Sequence, residues 1–95
     1  MKFEWFHRKA ESNIKRHDGV SFEEAATAFD DELQTAFPDD AHSVGEQRFT
    51  LLATSARGRV LSISYTERGE NIRIISAREA TREEVEEYES HFYGS

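Results

Sequence analysis

The sequence predicts an α+β domain, an antiparallel sheet covered by helices. Three observations lead there. Residues 48–77 hold three strand-like runs, about Arg48 to Ser55, Arg59 to Thr66 and Glu70 to Ala77. The turns between them, Ala56-Arg57-Gly58 and Glu67-Arg68-Gly69, each carry a glycine suited to a tight hairpin, so the runs read as a three-strand meander. Elsewhere apolar residues recur at helical rather than alternating spacing, before and after this block.

Taken in order, Lys2 to Trp5 alternates Phe3 and Trp5 with polar neighbours and reads as a short strand that extends the meander. Residues 6–17 read as a helix with a buried stripe of Phe6, Ala10 and Ile14, ended by Gly19 in the left-handed conformation. Residues 21–29 form a second helix, with Ser21 and Glu24 at capping-box spacing and Phe22, Ala25, Ala26 and Phe29 on one face. Asp30 to Glu32 reads as a solvated acidic turn, and Leu33 to Phe37 as a short strand closed by Pro38. Asp39 to Gln47 is polar and reads as loop. Thr81 and Glu84 form a second capping-box pair that opens a final helix over residues 81–91. The expected core is Ile14, Phe22, Phe29, Leu51, Leu61, Ile63, Ile72 and Ile74.

A chain of 95 residues makes one domain, 1–95, with a small core. Leu, Ile, Val and Phe number only 20, but seven Phe, three Tyr and one Trp supply large apolar pieces that argue for a folded core. Cysteine is absent, which excludes a disulfide framework and thiolate chemistry. The start, MKFEWFHRK, lacks a signal-peptide core, and no apolar run approaches a membrane span, so a soluble cytoplasmic protein is expected.

The net charge of −7 is unevenly placed. Residues 1–20 carry +2, residues 21–47 carry −8, residues 48–82 carry +4 and residues 83–95 carry −5. A basic sheet inside an acidic protein can still bind phosphate, because local field outweighs net charge at close range. The two acidic blocks read as solvated faces on which a basic partner segment can dock.

Arg73 and Arg78 are the leading phosphate candidates. A guanidinium meets two phosphate oxygens at once and keeps its charge. The alternative for Arg73 is a pair with a carboxylate such as Glu70 that only covers the sheet. Lys9, Asn13 and His17 fall at i, i+4, i+8 and line one edge of the first helix, either as a cap on the sheet edge or as a polar wall beside the basic sheet. His17 is the best acid or base among them, since imidazole exchanges protons near neutrality. His42, in DDAHSVGE, is an exposed loop histidine or a further contact. Arg57 and Arg59 flank Gly58 as turn residues or as backbone-phosphate contacts. Trp5 and Tyr65 offer stacking faces for a base, although both patterns also point inward. The four histidines show no metal-ligand spacing, so no metal and no cofactor is expected.

A longer pattern runs through the chain. It comprises Phe3-Glu4-Trp5; Lys9, Asn13 and His17; Gly19-Val20-Ser21-Phe22-Glu23-Glu24-Ala25; and Phe29-Asp30-Asp31. It continues with Phe37-Pro38-Asp39, His42, Gly45-Glu46, Arg48-Phe49, Gly58-Arg59, Tyr65-Thr66-Glu67-Arg68-Gly69 and Ile72-Arg73-Ile74-Ile75-Ser76-Ala77-Arg78. In this order and spacing it resembles the BrnT family of type II toxins. The resemblance implies a RelE-like fold and an endoribonuclease that inhibits translation. It also implies a BrnA-like ribbon-helix-helix antitoxin, with DNA reached only through that partner. On this reading Arg73, Arg78, His17 and Lys9 are catalytic, and Arg59, Arg57, Trp5, Tyr65 and His42 contact RNA. Metal-free cleavage through the 2′-hydroxyl needs a base, cations on the phosphoryl oxygens and an acid, which are the side chains available here. The acidic last helix, EEVEEYE, favours a competing reading as a module that binds its antitoxin but cuts poorly. A lone DNA-binding regulator is the third reading, disfavoured by sparse positive charge on the helices.

Overall fold

In the computed structural model, residues 1–92 are described. They form β1 (Lys2–Glu4), α1 (His7–Arg16), α2 (Phe22–Ala28), β2 (Thr35–Pro38), β3 (Arg48–Thr54), β4 (Val60–Arg68), β5 (Asn71–Glu79) and α3 (Arg82–Ser90), with a 3-10 turn at Asp40–His42. The sheet has five strands in the order β1-β5-β4-β3-β2. It is mixed rather than purely antiparallel. β1 runs parallel to β5, with Phe3 beside Ile72 and Glu4 beside Arg73, and all other pairs are antiparallel. β2 adds a further strand at the opposite edge, paired with β3 from Thr35↔Leu52 to Pro38↔Phe49. No helix among the described residues is long and apolar enough to cross a membrane.

One face of the sheet is the main core. Val20, Phe22, Ala25 and Phe29 from the α2 region pack on Leu51, Leu61, Ile63, Ile72 and Ile74. The aromatic rings interlock there: Trp5 meets Phe22 edge-on at 5.9 Å, and Phe29 contacts both Phe3 and Tyr65 at 5.1 Å. On the other face α3 packs against β3, where Leu52 and Ser62 are buried. Its Tyr88 hydroxyl donates to Asp31 Oδ2 and lies 2.8 Å from Thr54 Oγ1. Both helix starts follow from sequence. Ser21 Oγ accepts from the Glu24 N–H at 3.0 Å, and the Thr81/Glu84 capping box is complete. In α2 the box is only half formed, because the Glu24 carboxylate is taken elsewhere.

Two further expectations change. Ile14 and Phe6 are 44 % and 58 % exposed, so the stripe they share with Ala10 is not the buried one. The helix is rotated so that Ala10 and Asn13 face inward. The reason is Asn13, whose carboxamide docks on β5 much as a neighbouring strand would. Its Nδ2 donates to Ala77 O at 2.7 Å and Val20 O at 2.9 Å, and its Oδ1 accepts from Ala77 N at 3.0 Å. Asn13→Ala orphans these buried backbone groups and is expected to destabilise the fold by about 2–3 kcal/mol. A thermal melt of that variant checks it; an unchanged midpoint would show the bonds to be dispensable. The acidic blocks are not simply solvated faces either: Glu24 is 6 % exposed and Asp31 is half-buried. Asp31 feels burial, which raises its pKa, yet the Thr54 N–H and the Tyr88 hydroxyl hold it below the usual value.

Candidate nucleic-acid interface

The decisive local feature is a β-bulge in β5. Ile74 pairs with Tyr65 and Ser76 with Ser64, leaving Ile75 as an extra residue. Ile72, Ile74 and Ala77 all face the core. Alternation then places Arg73, Ser76 and Arg78 together on the opposite face, which a regular strand would not do for residues five apart. In register beside them lie Thr66, Ser64 and Ser62 of β4, then Arg48, Thr50 and Leu52 of β3. The result is a floor of small hydroxyls with arginines at its ends, and α3 stands beside the Arg78 end.

Each of these arginines has a defined state. Arg73 Nε donates to Glu4 Oε2 at 2.9 Å, its Nη2 lies 2.8 Å from the same oxygen, and its guanidinium lies 4.8 Å over the Phe6 ring. The parallel β1–β5 register sets that pair, so Glu4 rather than Glu70 is the partner. The Asn71 amide first, then Arg73, holds the Glu4 carboxyl below its usual pKa. Arg78 forks onto Glu84 of α3 at 2.7 and 3.0 Å, which lowers the Glu84 pKa and raises that of Arg78. Arg48 has a buried Nε with no hydrogen-bond partner among the described residues.

Around the edge of β5 beyond the short β1, α1 and the bulge enclose a cleft of about 460 Å³. Lys9, Asn13, His17, Ile75 and Ser76 line it, together with Arg8, Ser12 and Arg16. Ser76 therefore belongs both to the hydroxyl floor and to the cleft. Lys9 and His17 thus line the cleft beside Ile75 and Ser76, whereas Arg73 and Arg78 do not line it and lie on the sheet face in register with Thr66 and Ser62.

The remaining sequence candidates lie elsewhere. Arg59 is on the helix-covered side, where its Nε and Nη2 donate to Glu24 at 2.8 and 2.7 Å and its Nη1 donates to Asp18 O. Those carboxylate bonds raise the Arg59 pKa. Arg57 is exposed, 3.9 Å from the same Glu24. Tyr65 is 8 % exposed and stacks on Phe49 at 5.4 Å, and burial raises its pKa. Trp5 is half-buried against Phe22. Both rings pack against the core, and Tyr65 is too buried to offer a face to a base. His42 sits by β2, at the far edge of the sheet, with Nδ1 at 2.9 Å from Asp39 Oδ2. Among the described residues no three His, Asp or Glu side chains gather as a metal-ligand set.

Arg8, Arg16 and Arg48 escaped the sequence reading. A charge count along the first helix alone would have flagged two of them. Residues 7–16 hold Arg8, Lys9, Lys15 and Arg16 against Glu11, so this helix is basic, contrary to the expectation of sparse helix charge.

The layered sheet, the bulged strand β5 and the basic side chains around it define a small α+β protein. Residues 5–84 match the family described as "Ribonuclease toxin, BrnT, of type II toxin-antitoxin system". The chain belongs to that family of type II toxins. The 1.1 Å crystal structure of the Brucella abortus ribonuclease toxin BrnT shares the fold, with a TM-score of 0.67. Sequence identity is 21 %, and the match covers 86 % of this chain and 99 % of that one. No curated protein sequence matches.

Proposed function

We propose that this toxin is a metal-independent endoribonuclease, RelE-like in fold and cytoplasmic, that cuts RNA through its own 2′-hydroxyl and so inhibits translation. The observation that supports the reading is a cleft lined by Lys9 and His17 at the bulge of β5, the strand that also carries Arg73 and Arg78 on one face. In this mechanism a base takes the 2′-hydroxyl proton, and the oxygen attacks the adjacent phosphorus. Charge on the phosphoryl oxygens is met by Arg73 and Arg78, and an acid protonates the departing 5′-oxygen. His17 and Lys9 line the cleft and supply the proton transfers. Arg57, Arg59 and His42 are left with peripheral contacts to the RNA backbone, and Trp5 and Tyr65 support the site from the core. The partner is a BrnA-like ribbon-helix-helix antitoxin, which also provides the only link to DNA.

Incubating the purified toxin with RNA, with and without EDTA and ribosomes, tests this. The expected products carry a 2′,3′-cyclic or 3′-phosphate and a 5′-hydroxyl, and cutting persists in EDTA. Metal-dependent cutting, or 5′-phosphate ends, would overturn the mechanism. One observation favours a second reading, a BrnT module that mainly binds its antitoxin: Glu4 and Glu84 already occupy both candidate arginines. Absence of cutting under every condition, with an intact fold, supports that alternative.

A further inference from the structure

We infer that Arg8 and Arg16 are substrate-positioning cations that hold the RNA backbone on either side of the cut. The inference rests on the ribonuclease reading above and assigns two residues that the sheet-centred site leaves out. Arg8 and Arg16 lie eight residues apart on α1, about 12 Å along its axis, with Ser12 between them on the same stripe. Both line the cleft, and among the described residues no carboxylate lines it. Their charge is also uncommitted. Arg59, Arg73 and Arg78 each hold a glutamate, whereas neither Arg8 nor Arg16 has an ion-pair partner among the described residues.

The start of the helix carries a second sign. The first turn of α1 has no acidic residue, and Phe6 at the cap position gives no side-chain hydrogen bond. Arg8 and Lys9 stand there instead, where the helix dipole disfavours cations. The other two helices follow the local rules, with Glu23 and Glu24 or Glu83 and Glu84 in the first turn and a side-chain cap. A local rule broken in one helix, beside a cleft, fits selection for an external anion rather than for helix stability. Polyanionic RNA backbone is the anion the proposed reaction brings to this edge. Cations at both ends of the cleft would fix its direction along α1 while His17 and Lys9 act between the strand and the helix.

The test uses the whole toxin and a short single-stranded RNA, 2′-O-methylated so that it binds without being cut. Affinity is measured between about 50 and 200 mM salt for the wild type, for Arg8→Gln with Arg16→Gln, and for Lys15→Gln. Lys15 sits on the same helix but does not line the cleft, so it controls for net charge. Loss of two phosphate contacts should reduce the salt slope by about 1.4, while Lys15→Gln should leave it nearly unchanged. With cleavable RNA the double variant should raise KM roughly tenfold and hold kcat within about twofold, as expected when uniform binding is removed. An unchanged slope in the double variant, or equal losses in the double variant and Lys15→Gln, overturns the inference. Failure of the wild type to bind or cut RNA at all would instead overturn the ribonuclease reading.

Discussion

Glu24→Ala is expected to destabilise the protein by about 3–5 kcal/mol, the scale for stranding one partner of a buried ion pair. Glu24 holds Arg59 through two hydrogen bonds and accepts a third from Ser55 Oγ at 2.7 Å. Removing it leaves the Arg59 guanidinium partly buried, with Asp18 O and a more distant Glu79 at 3.6 Å as its remaining partners. The alanine therefore removes attraction while much of the desolvation remains. Replacing both residues together, as Glu24→Met with Arg59→Met, should recover most of the loss, since no charge is then stranded. Urea unfolding of the three proteins separates the terms. A loss below about 1 kcal/mol in the single variant would mark the pair as solvent-screened. The same pair sets a pH response. Arg59 holds the Glu24 carboxyl below its ordinary value of 4.5, and Arg78 does the same for Glu84. A lowered folded-state pKa means the unfolded chain binds protons first. The contribution is therefore complete above about pH 4.5 and lost as the pH falls through the lowered folded-state values.

Arg73→Ala is expected to lower kcat for RNA cleavage about 10²-fold, the scale for losing one preorganised donor at a developing oxyanion. The informative companion is Arg73→Lys. If Arg73 meets two phosphoryl oxygens, a lysine supplies charge without the planar fork and should restore little. If Arg73 only covers the sheet beside Glu4, the lysine keeps the ion pair and activity stays near the wild-type level. Single-turnover cleavage with saturating enzyme distinguishes these outcomes, and a matched melting temperature excludes misfolding as the cause.

Much of the helix and strand placement was legible because several elements carry their own punctuation. Thr81 and Glu84 open α3, Ser21 opens α2, and Gly58 and Gly69 take positive φ at the hairpin turns. The orientation of α1 was not legible, because Phe6 and Ile14 satisfy helical spacing while the docking energy comes from an amide, Asn13. Nor was the state of the arginines. Glu4 lies 69 positions from Arg73 and Glu24 lies 35 from Arg59, so only parallel pairing of β1 and the packing of α2 bring them together. Family resemblance supplied the toxin assignment, and local pattern supplied the cleft-lining edge of Lys9, Asn13 and His17. Arg8 and Arg16 belong to the neighbouring stripe of the same helix.

The extra residue at Ile75 makes the interval between Arg73 and Arg78 an odd number that behaves as an even one. Length and bulge in this segment are therefore coupled: five positions apart, the two arginines share a face only while the bulge is kept, and straightening the strand without losing a residue would turn them to opposite sides of the sheet. Such a straightening would change this surface more than many substitutions, although composition and charge would not register it at all. The count of residues between the two arginines, taken together with the presence or absence of a bulge, becomes a criterion for recognising copies of this surface among divergent relatives.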